Sequence, residues 1–532
     1  MKNKKLLLSL LFSLAVFFVF SQNKTGVENE LAHKSLWGIF LKGLGVGFLA
    51  VLQPCIYAMI PVTVSFFVKR STSRSQGLKN ALVYSLSIVS IFTIIGVAIT
   101  LIFGDNALYQ ISSSAAFNIF VFIMFMVFGI SFLGAFEINL PASWANKIDS
   151  KAGTGSYSGI FFMALTLVIV SFSCTVPFIS GLTKLISQEK QRLAPTLGFM
   201  GFSLALALPF ALFALFPGLL NKMAKAGGWL NTMKVSFGFI ELALALKFLS
   251  NADLAYHWRI LDREVYLSLW IIIFGLLGIY LLGKLKFRHD DDLPKNDYGF
   301  PHLSVTRLFF AITVLSFTVY MIPGLWGAPL KGISAWIPET KTQDFNLNKI
   351  ALQNAQVNVN DTVLIKNDTG NKVMPKKYID ILESEILGVD AFFDIDEALD
   401  AAKKMNKPVM IDFTGHSCAN CRKMESEVLN QDEIRTTLKT DFIVASLYVD
   451  DKLGLPENEQ YISKNDGSVI KKMGAKNLDF EATIANSNAQ PLYIFTDKEG
   501  KIIQNAGGYN SDINRFKKIL EDVKAAFKKR FP

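Results

Sequence analysis

Four cysteines are the residues of this 532-residue chain best suited to carry chemistry: Cys55, Cys174, Cys418 and Cys421. The last two form a Cys-x-x-Cys pair in a region with mixed strand and helix patterning, whereas the first two each lie in a long apolar stretch beside prolines. Neighbouring thiols exchange with disulfides through a mixed-disulfide intermediate. One pair outside the lipid and one thiol in each of two membrane segments therefore predict dithiol–disulfide exchange across a bilayer.

The Cys418–Cys421 pair is predicted to open a helix, and this position activates its first thiol. The helix dipole and the free amides of the first turn stabilise a thiolate and lower its pKa. Two intervening residues leave the second thiol within reach to resolve a mixed disulfide. A zinc half-site would need a further Cys or His pair nearby, and a structural disulfide is the other alternative in an oxidising compartment. No further Cys is available in this region, so the pattern favours redox chemistry.

The two membrane cysteines lie in segments that prolines interrupt: Pro54 and Pro61 flank Cys55, and Pro177 follows Cys174. Proline breaks the hydrogen-bond ladder of a helix, and a broken helix at membrane depth is tolerated mainly where it faces protein or a cavity. Either cysteine alone is equally explained as an ordinary buried residue. The matching pair, one in each of two helices, favours a functional role.

The composition divides the chain into a membrane part and a soluble part. It is 51% hydrophobic and 18% charged, with a mean hydropathy of +0.34, whereas soluble chains carry about 25% charged residues. The apolar excess ends near residue 330. Much of the formal charge of +10 lies in loops between apolar segments, where the positive-inside rule places it. Membrane lipid is therefore the expected surroundings, and the charge requires no nucleic-acid partner.

The first 21 residues have the pattern of an export signal, with a basic start, an apolar run over 6–20 and a polar exit. An uncleaved anchor is the alternative. Further segments are each long enough to cross a hydrocarbon core of about 30 Å as a helix. The first three and the next three are predicted to be inverted repeats, which commonly form a site at mid-depth. These eight segments are approximately 36–68, 78–103, 115–140, 158–186, 193–220, 230–250, 264–283 and 305–323.

The loops between these segments predict an orientation. The loops over 69–79 and 284–295 are basic, whereas the loop over 104–114 carries an acid and no Lys or Arg. The basic loop over 184–192 favours the opposite arrangement, so the assignment follows the majority of loops. With eight crossings after an exported N-terminus, the C-terminal part is predicted to lie outside the cytoplasm. This is the topology of a bacterial inner-membrane protein with a periplasmic C-terminal domain.

The soluble part follows a polar connector over 324–389, which is predicted to act as a tether or a plain spacer. From residue 390 the pattern alternates between helix and strand, with a hairpin turn at 497–500. The predicted elements are a helix at 394–405, strands at 408–413, 442–449, 492–496 and 502–505, and a closing helix at 513–531.

This order of elements resembles thioredoxin. The resemblance makes Cys418 and Cys421 the redox pair, Asp412 the buried carboxylate on the strand beneath them, and Pro491 the cis-proline that faces them. Ser446 stands where thioredoxins often have a lysine near the buried Asp, which puts a proton-relay role for Asp412 in question. An insertion over about 452–480 is a second departure.

The whole chain resembles the DsbD-type transmembrane thiol:disulfide interchange proteins, over about 36–323 and 390–532. The resemblance implies an eight-helix membrane domain of the CcdA type, comprising inverted three-helix repeats plus two helices, and then an α/β thioredoxin-like domain. The amino-terminal extracytoplasmic domain of full-length members is expected to be absent. The supporting motifs are Gln53-Pro54-Cys55, Met59-Ile60-Pro61, Ser173-Cys174-Thr175-Val176-Pro177 and the run from Cys418 through Glu425.

The resemblance further implies the electron path. Cytoplasmic thioredoxin would reduce a Cys55–Cys174 disulfide, which would reduce Cys418–Cys421 outside. That pair would in turn reduce exported thioredoxin-like or other disulfide-bearing proteins, including those of cytochrome c maturation. The electrons travel as thiol pairs, so no bound cofactor and no metal is expected.

Two alternatives remain from other functional classes. One is an inverted-repeat transporter with an accessory thioredoxin-like domain, although its membrane segments hold few of the ionisable residues that ion pathways usually need. The other is a membrane-anchored disulfide isomerase, for which eight helices with two cysteines are more than an anchor requires.

Overall fold

The computed structural model describes most of the chain, and all structural statements below concern the described residues. They are 36–51, 79–96 without 81, 113–136, 194–215, 227–287, 302–347, 373–465, 467–485 and 487–531, with single positions at 160, 161, 164, 165, 168, 290, 298, 350 and 351. The chain divides into two compact units. The first comprises Met1–Ser112, Ile123–Leu242 and Lys286–His302, and the second Ser113–Phe122, Ala243–Leu285 and Leu303–Pro532.

The described part of the first unit is built from long apolar helices. Helices α1 (Leu36–Val51), α2 (Leu82–Gly96) and α4 (Ala194–Leu215) enclose a core that includes Tyr84, Phe92, Phe199 and Phe202. Helices α3 (Ala115–Phe132) and α5 (Gly227–Tyr256) follow the same apolar pattern. Helices lie where the sequence predicts apolar spans, which confirms a membrane domain of several helices.

Glycines allow α1 and α4 to pack backbone against backbone. A Cβ atom on Gly43 would overlap the carbonyl oxygen of Gly198, and one on Gly201 would overlap that of Phe40. Small residues at helix contacts are the usual means of close packing in membranes, where lipid gives helices no hydrophobic drive to associate.

Four of the described helices are long and apolar enough to cross a membrane, and three more apolar helices are shorter. The four spans are Ala115–Phe132, Asn231–Tyr256, Arg263–Leu281 and Val305–Trp326. The last two correspond to α6 (Arg263–Leu281) and α7 (Val305–Met321), which continues as a 3-10 turn at Ile322–Trp326.

The first part of the predicted connector packs against α6 and α7. Leu330, Ile333 and Ile337 are buried in one cluster with Tyr266 and Trp270 of α6. The chain leaves the 3-10 turn through Gly327, whose φ of 94° lies in the left-handed region that favours glycine. This packing holds the polar segment that follows, including a second 3-10 turn at Thr340–Thr342, in a defined place.

The C-terminal domain is a five-stranded mixed sheet with the order β1-β3-β2-β6-β7. Central strand β2 pairs with β3 in parallel and with β6 antiparallel, and all six of its residues are buried. The strands are β1 Ala391–Phe392, β2 Val409–Thr414, β3 Ile443–Tyr448, β4 Tyr461–Ile462, β5 Val469–Ile470, β6 Leu492–Thr496 and β7 Ile502–Gly507; β4 and β5 form a separate hairpin. The helices are α8 Ile395–Met405, α9 Ala419–Met424, α10 Asp432–Asp441, α11 Met473–Ala485 and α12 Ile513–Arg530.

Local sequence signals set the helix ends in this domain. Asp394 caps α8 by accepting the backbone N–H of Glu397, and the helix stops at Asn406, whose φ of 47° is left-handed. Asp512 caps α12 in the same way, and basic residues occupy its last turn. These elements agree with the predicted helices and strands to within a few residues, and they confirm the expected α/β domain.

Candidate redox site

The Cys418–Cys421 pair lies where β2 gives way to α9. Cys418 is the N-cap residue of α9, and its Sγ accepts the backbone N–H of Cys421 at 3.2 Å. The two residues form a disulfide with Cα atoms 5.3 Å apart. Cys418 is partly exposed, whereas Cys421 is fully buried. The first sulfur is therefore accessible to a partner, and the second can act only from within.

One carboxylate fixes the turn that presents Cys418. Asp450, just after β3, accepts the backbone N–H of His416 at 2.8 Å and that of Ser417 at 3.0 Å. It also accepts the Ser417 hydroxyl at 2.8 Å. Three hydrogen bonds to a charged acceptor satisfy the amides of the turn and limit its movement. Sequence reasoning missed Asp450, because its distance along the chain from the turn gives no local signal.

Asp412 lies in the middle of β2, beside Ser446 of β3 and Tyr493 of β6. Burial raises the pKa of its carboxyl group to about 7, and the nearby Arg422 guanidinium opposes that rise. Its Oδ1 atom has no hydrogen-bond partner among the described residues. A buried carboxyl group with this pKa can take up and release a proton near neutral pH.

A buried Arg–Glu pair extends from the same helix. Arg422 donates to Glu425 Oε1 at 2.7 Å and to Thr414 Oγ1 at 3.3 Å. Burial raises the pKa of Glu425 well above its usual range; Arg422 opposes this, and the charges of Glu385 and Asp412 add to it. Arg422 also forms an ion pair with Glu339 at 2.8 Å. Both residues lie within the Cys418–Glu425 motif, but sequence reasoning gave them no role.

A second buried network begins at His416, two residues before Cys418. Its Nδ1 lies 3.2 Å from Glu339 Oε1, and its Nε2 lies 3.0 Å from Asp451 Oδ2. The same Asp451 oxygen lies 2.9 Å from Nε2 of His257, which follows α5. Burial acts to lower the pKa of His416, but Glu339 and Asp451 outweigh it and raise it to about 9. Hydrogen bonds from the two histidines hold the pKa of Asp451 well below its usual range against the opposing effect of burial.

A cavity of about 270 Å³ adjoins these groups. Its polar lining gives water enough partners to reach the buried carboxylates. The lining includes Arg263, Glu339, Glu385, Arg422, Glu425 and Ser426.

The structure places only part of the predicted site. The Gln490–Pro491 peptide is cis and lies immediately before β6, while the catalytic role of Pro491 stays a prediction. The membrane cysteines Cys55 and Cys174 lie outside the described residues. So do their neighbouring prolines Pro54, Pro61 and Pro177.

Two comparisons with protein families agree with this architecture. Residues 36–252 match the family described as cytochrome C biogenesis protein transmembrane domain. Residues 395–524 match the family described as thioredoxin-like domain. The first match covers most of the predicted membrane helices, and the second covers the sheet and the Cys418–Cys421 pair.

Curated relatives share this combination at low identity, and each is named thiol:disulfide interchange protein DsbD. The chain is 23% identical to the protein of Ralstonia nicotianae, over 77% of this chain and 60% of that protein. It is 23% identical to a Haemophilus influenzae protein (81% and 62%) and 23% identical to a Vibrio vulnificus protein (74% and 56%). The chain thus spans about 60% of the length of the first two. Its domain content and these relatives identify the chain as a DsbD-type protein, in which a cytochrome C biogenesis protein transmembrane domain precedes a thioredoxin-like domain.

Proposed function

We propose that this protein is a transmembrane thiol–disulfide reductase that delivers electrons to exported proteins through Cys418 and Cys421. The observation that carries the proposal is the pair itself. An accessible sulfur at a helix N-terminus is bonded to a buried sulfur, in a thioredoxin-like domain that follows a membrane domain. This is the arrangement that makes one thiol the nucleophile and the other the resolving group.

The reaction is a pair of exchanges that conserve electrons. In the reduced domain the Cys418 thiolate attacks a disulfide of the acceptor, forms a mixed disulfide and releases one acceptor thiolate. The Cys421 thiolate then attacks the Cys418 sulfur and releases the second acceptor thiolate. Two electrons pass to the acceptor, and the Cys418–Cys421 disulfide forms again. About 30 mV of potential difference drives such a two-electron step by roughly 1.4 kcal/mol.

Asp412 supplies the proton acceptor for the buried thiol. Cys421 must lose its proton to attack, and it is fully buried away from bulk water. Asp412 is buried one strand-to-helix turn earlier in the chain, with a pKa of about 7 that suits exchange near neutral pH. Water in the adjoining cavity offers a path for the proton to leave.

The electron source in this proposal is cytoplasmic thioredoxin, and the conductor is the Cys55–Cys174 pair. The thioredoxin-like domain faces the periplasm of a bacterial inner membrane, as the export signal and most of the basic loops predict. The acceptors are exported thioredoxin-like proteins or other exported disulfides, including apocytochromes. The transmembrane match to a cytochrome C biogenesis family supports that last class.

A covalent trap tests the proposal. Cys421→Ala removes the resolving sulfur, so an acceptor attacked by Cys418 should stay attached as a mixed disulfide. The double variant Cys418→Ala with Cys421→Ala is the matched control and should trap nothing. Mass spectrometry of the trapped species would identify the acceptor. Equal capture by the single and double variants, or no exported protein in either, would refute the proposal.

A further inference from the structure

Three side chains beside the redox pair have the composition of a divalent-cation site. Nε2 of His257, Nε2 of His416 and Oδ2 of Asp451 all lie within 4.8 Å of one another. They come from three distant parts of the second unit: the end of α5, the turn before Cys418 and the segment after β3. We propose that these three atoms bind a zinc-class divalent cation, with water as its fourth ligand.

Outer contacts already orient two of the three ligands. Glu339 Oε1 lies 3.2 Å from Nδ1 of His416, on the side of the ring opposite the cluster. Asp451 Oδ1 accepts the backbone N–H of Leu453 at 2.7 Å, which leaves Oδ2 turned towards the histidines. A metal-binding histidine almost always gives its other ring N–H to a carboxylate or carbonyl group, and metal-binding carboxylates are themselves hydrogen-bonded.

Glu339 is itself held in place by two cations. Lys341 Nζ lies 2.8 Å from one of its oxygens, and Arg422 lies 2.8 Å from the other. The Glu339 side chain is fully buried. The carboxylate therefore cannot turn away from His416 without leaving two buried cations unpaired, so the orientation of the His416 ring is fixed in advance.

The local chemistry calls for a cation between the ligands. A neutral His416 that donates its Nδ1 proton to Glu339 presents a lone pair on Nε2. That lone pair faces an Asp451 oxygen only 3.0 Å away, and two acceptors at this distance repel unless a cation lies between them. A divalent ion fits this position, since imidazole nitrogen and carboxylate oxygen are ordinary zinc ligands.

The geometry needs little adjustment to hold the ion. Zinc bonds of about 2.0–2.1 Å at tetrahedral angles separate the ligand atoms by about 3.3 Å. Both histidine nitrogens lie 2.9–3.0 Å from the Asp451 oxygen, so each contact would open by a few tenths of an ångström. The His257 side chain is 22% exposed, whereas those of His416 and Asp451 are almost fully buried. An ion and its water can therefore enter from the His257 side.

The bound ion would tie the end of a membrane helix to the thioredoxin-like domain next to its redox pair. The sulfurs of Cys418 and Cys421 bond to each other and are not among the ligands. The inference is therefore independent of the proposed thiol chemistry, and either can fail without the other.

Metal titration of the full chain in detergent tests the site. Cys418→Ser with Cys421→Ser forms the parent protein, so that thiolates cannot bind the probe. After metal removal with a chelator, Zn²⁺ should bind with one equivalent by calorimetry, and Co²⁺ should give the visible absorption of a low-symmetry site. His257→Ala should weaken binding at least 100-fold. Glu339→Gln should weaken it by about 10- to 100-fold, through the orientation of His416 alone.

His302→Ala is the matched control, because His302 is exposed and lies outside the cluster. It should bind Zn²⁺ as the parent does. Zn²⁺ should also raise the melting temperature of the parent and leave that of His257→Ala unchanged, which separates binding from a folding defect. No one-equivalent binding by the parent, or equal affinity in His257→Ala, would overturn the proposal. Several weak equivalents that no variant alters would do so too, since they would mark adventitious metal only.

Discussion

At the scale of single residues, the reactivity of the redox pair depends on groups that burial has shifted. Cys418 gains its accessible position from the start of α9, and Cys421 is enclosed. Asp412 and Glu425 both have raised pKa values because the surrounding protein excludes water. Arg422 offsets part of that effect for each. A buried acid kept partly neutral is a proton donor and acceptor, but it is also a cost to the folded state.

That cost predicts a pH dependence of stability. The pKa of Asp412 is about 7 in the folded protein and near 3.8 in the unfolded chain. The folded state therefore holds the proton more tightly, and its stability falls as the pH rises from about 4 to 7. Asp412→Asn removes this dependence, so the variant should match the parent near pH 4. At pH 8 it should exceed the parent by at most about 4 kcal/mol. Thermal unfolding of the full chain in detergent at the two pH values measures this, and equal differences at both would contradict it.

The same substitution should slow the chemistry. Without a proton acceptor beside Cys421, resolution of the mixed disulfide should slow by tenfold or more. The loss should be greatest between pH 6 and 7 and shrink at alkaline pH, where Cys421 loses its proton unaided. Stopped-flow reduction of a disulfide substrate gives the rate for both proteins. A rate profile that is parallel to the parent's at every pH would exclude a proton-transfer role for Asp412.

At the scale of elements, the two ends of the chain use different packing rules. In the membrane domain, glycines set the distance between α1 and α4. In the soluble domain, the apolar residues of β2 are buried on both faces of the sheet, as a central strand requires. Periodicity alone predicts both kinds of element, because apolar spans and short buried strands leave clear local patterns.

The α1–α4 contact predicts which glycine tolerates a methyl group. Gly43→Ala would place Cβ against the carbonyl oxygen of Gly198, and a helix backbone cannot yield there. We expect a loss of about 1–3 kcal/mol. Gly45→Ala, two residues along the same helix, meets no atom within 4 Å and should leave stability unchanged or slightly higher. Thermal unfolding in detergent compares the two, and equal melting temperatures would disprove the close contact.

At the scale of the whole molecule, the proposed function needs electrons to reach the soluble domain from the membrane domain. The chain supplies two domains that match separate families, 36–252 and 395–524. Between them, α6, α7 and the packed residues after α7 form part of the second unit together with the soluble domain. Part of the segment predicted as a connector is therefore built into a core.

The electron path predicts a cellular phenotype for the membrane cysteines. Cys174→Ser should leave Cys418–Cys421 oxidised in cells, because the soluble pair would lose its source of electrons. Cys55→Ser should do the same, whereas the unaltered protein should show a reduced fraction. Alkylation of free thiols followed by gel electrophoresis reads the state of the pair. Chemical reduction of the purified Cys174→Ser protein should restore exchange with a disulfide substrate. A pair that stays reduced in both variants would point instead to an anchored isomerase.

The sequence by itself determined the parts that local patterns encode. The spacing of Cys418 and Cys421, the strand that carries Asp412 and the apolar spans all follow from neighbouring residues. Helix capping by Asp394 and Asp512 is equally local. These features were predictable because propensity, periodicity and turn chemistry act over a few residues.

Only the tertiary structure decided what surrounds the disulfide. His416 meets Glu339 from 77 residues earlier in the chain, and His257 meets Asp451 from 194 residues away. Asp450 reaches the turn before Cys418 from the far side of β3. Buried polar groups must find partners, and the partner is whichever complementary group the packing brings near, at any sequence separation. No local pattern carries that information, so the network around the redox pair became visible only when the elements were in place.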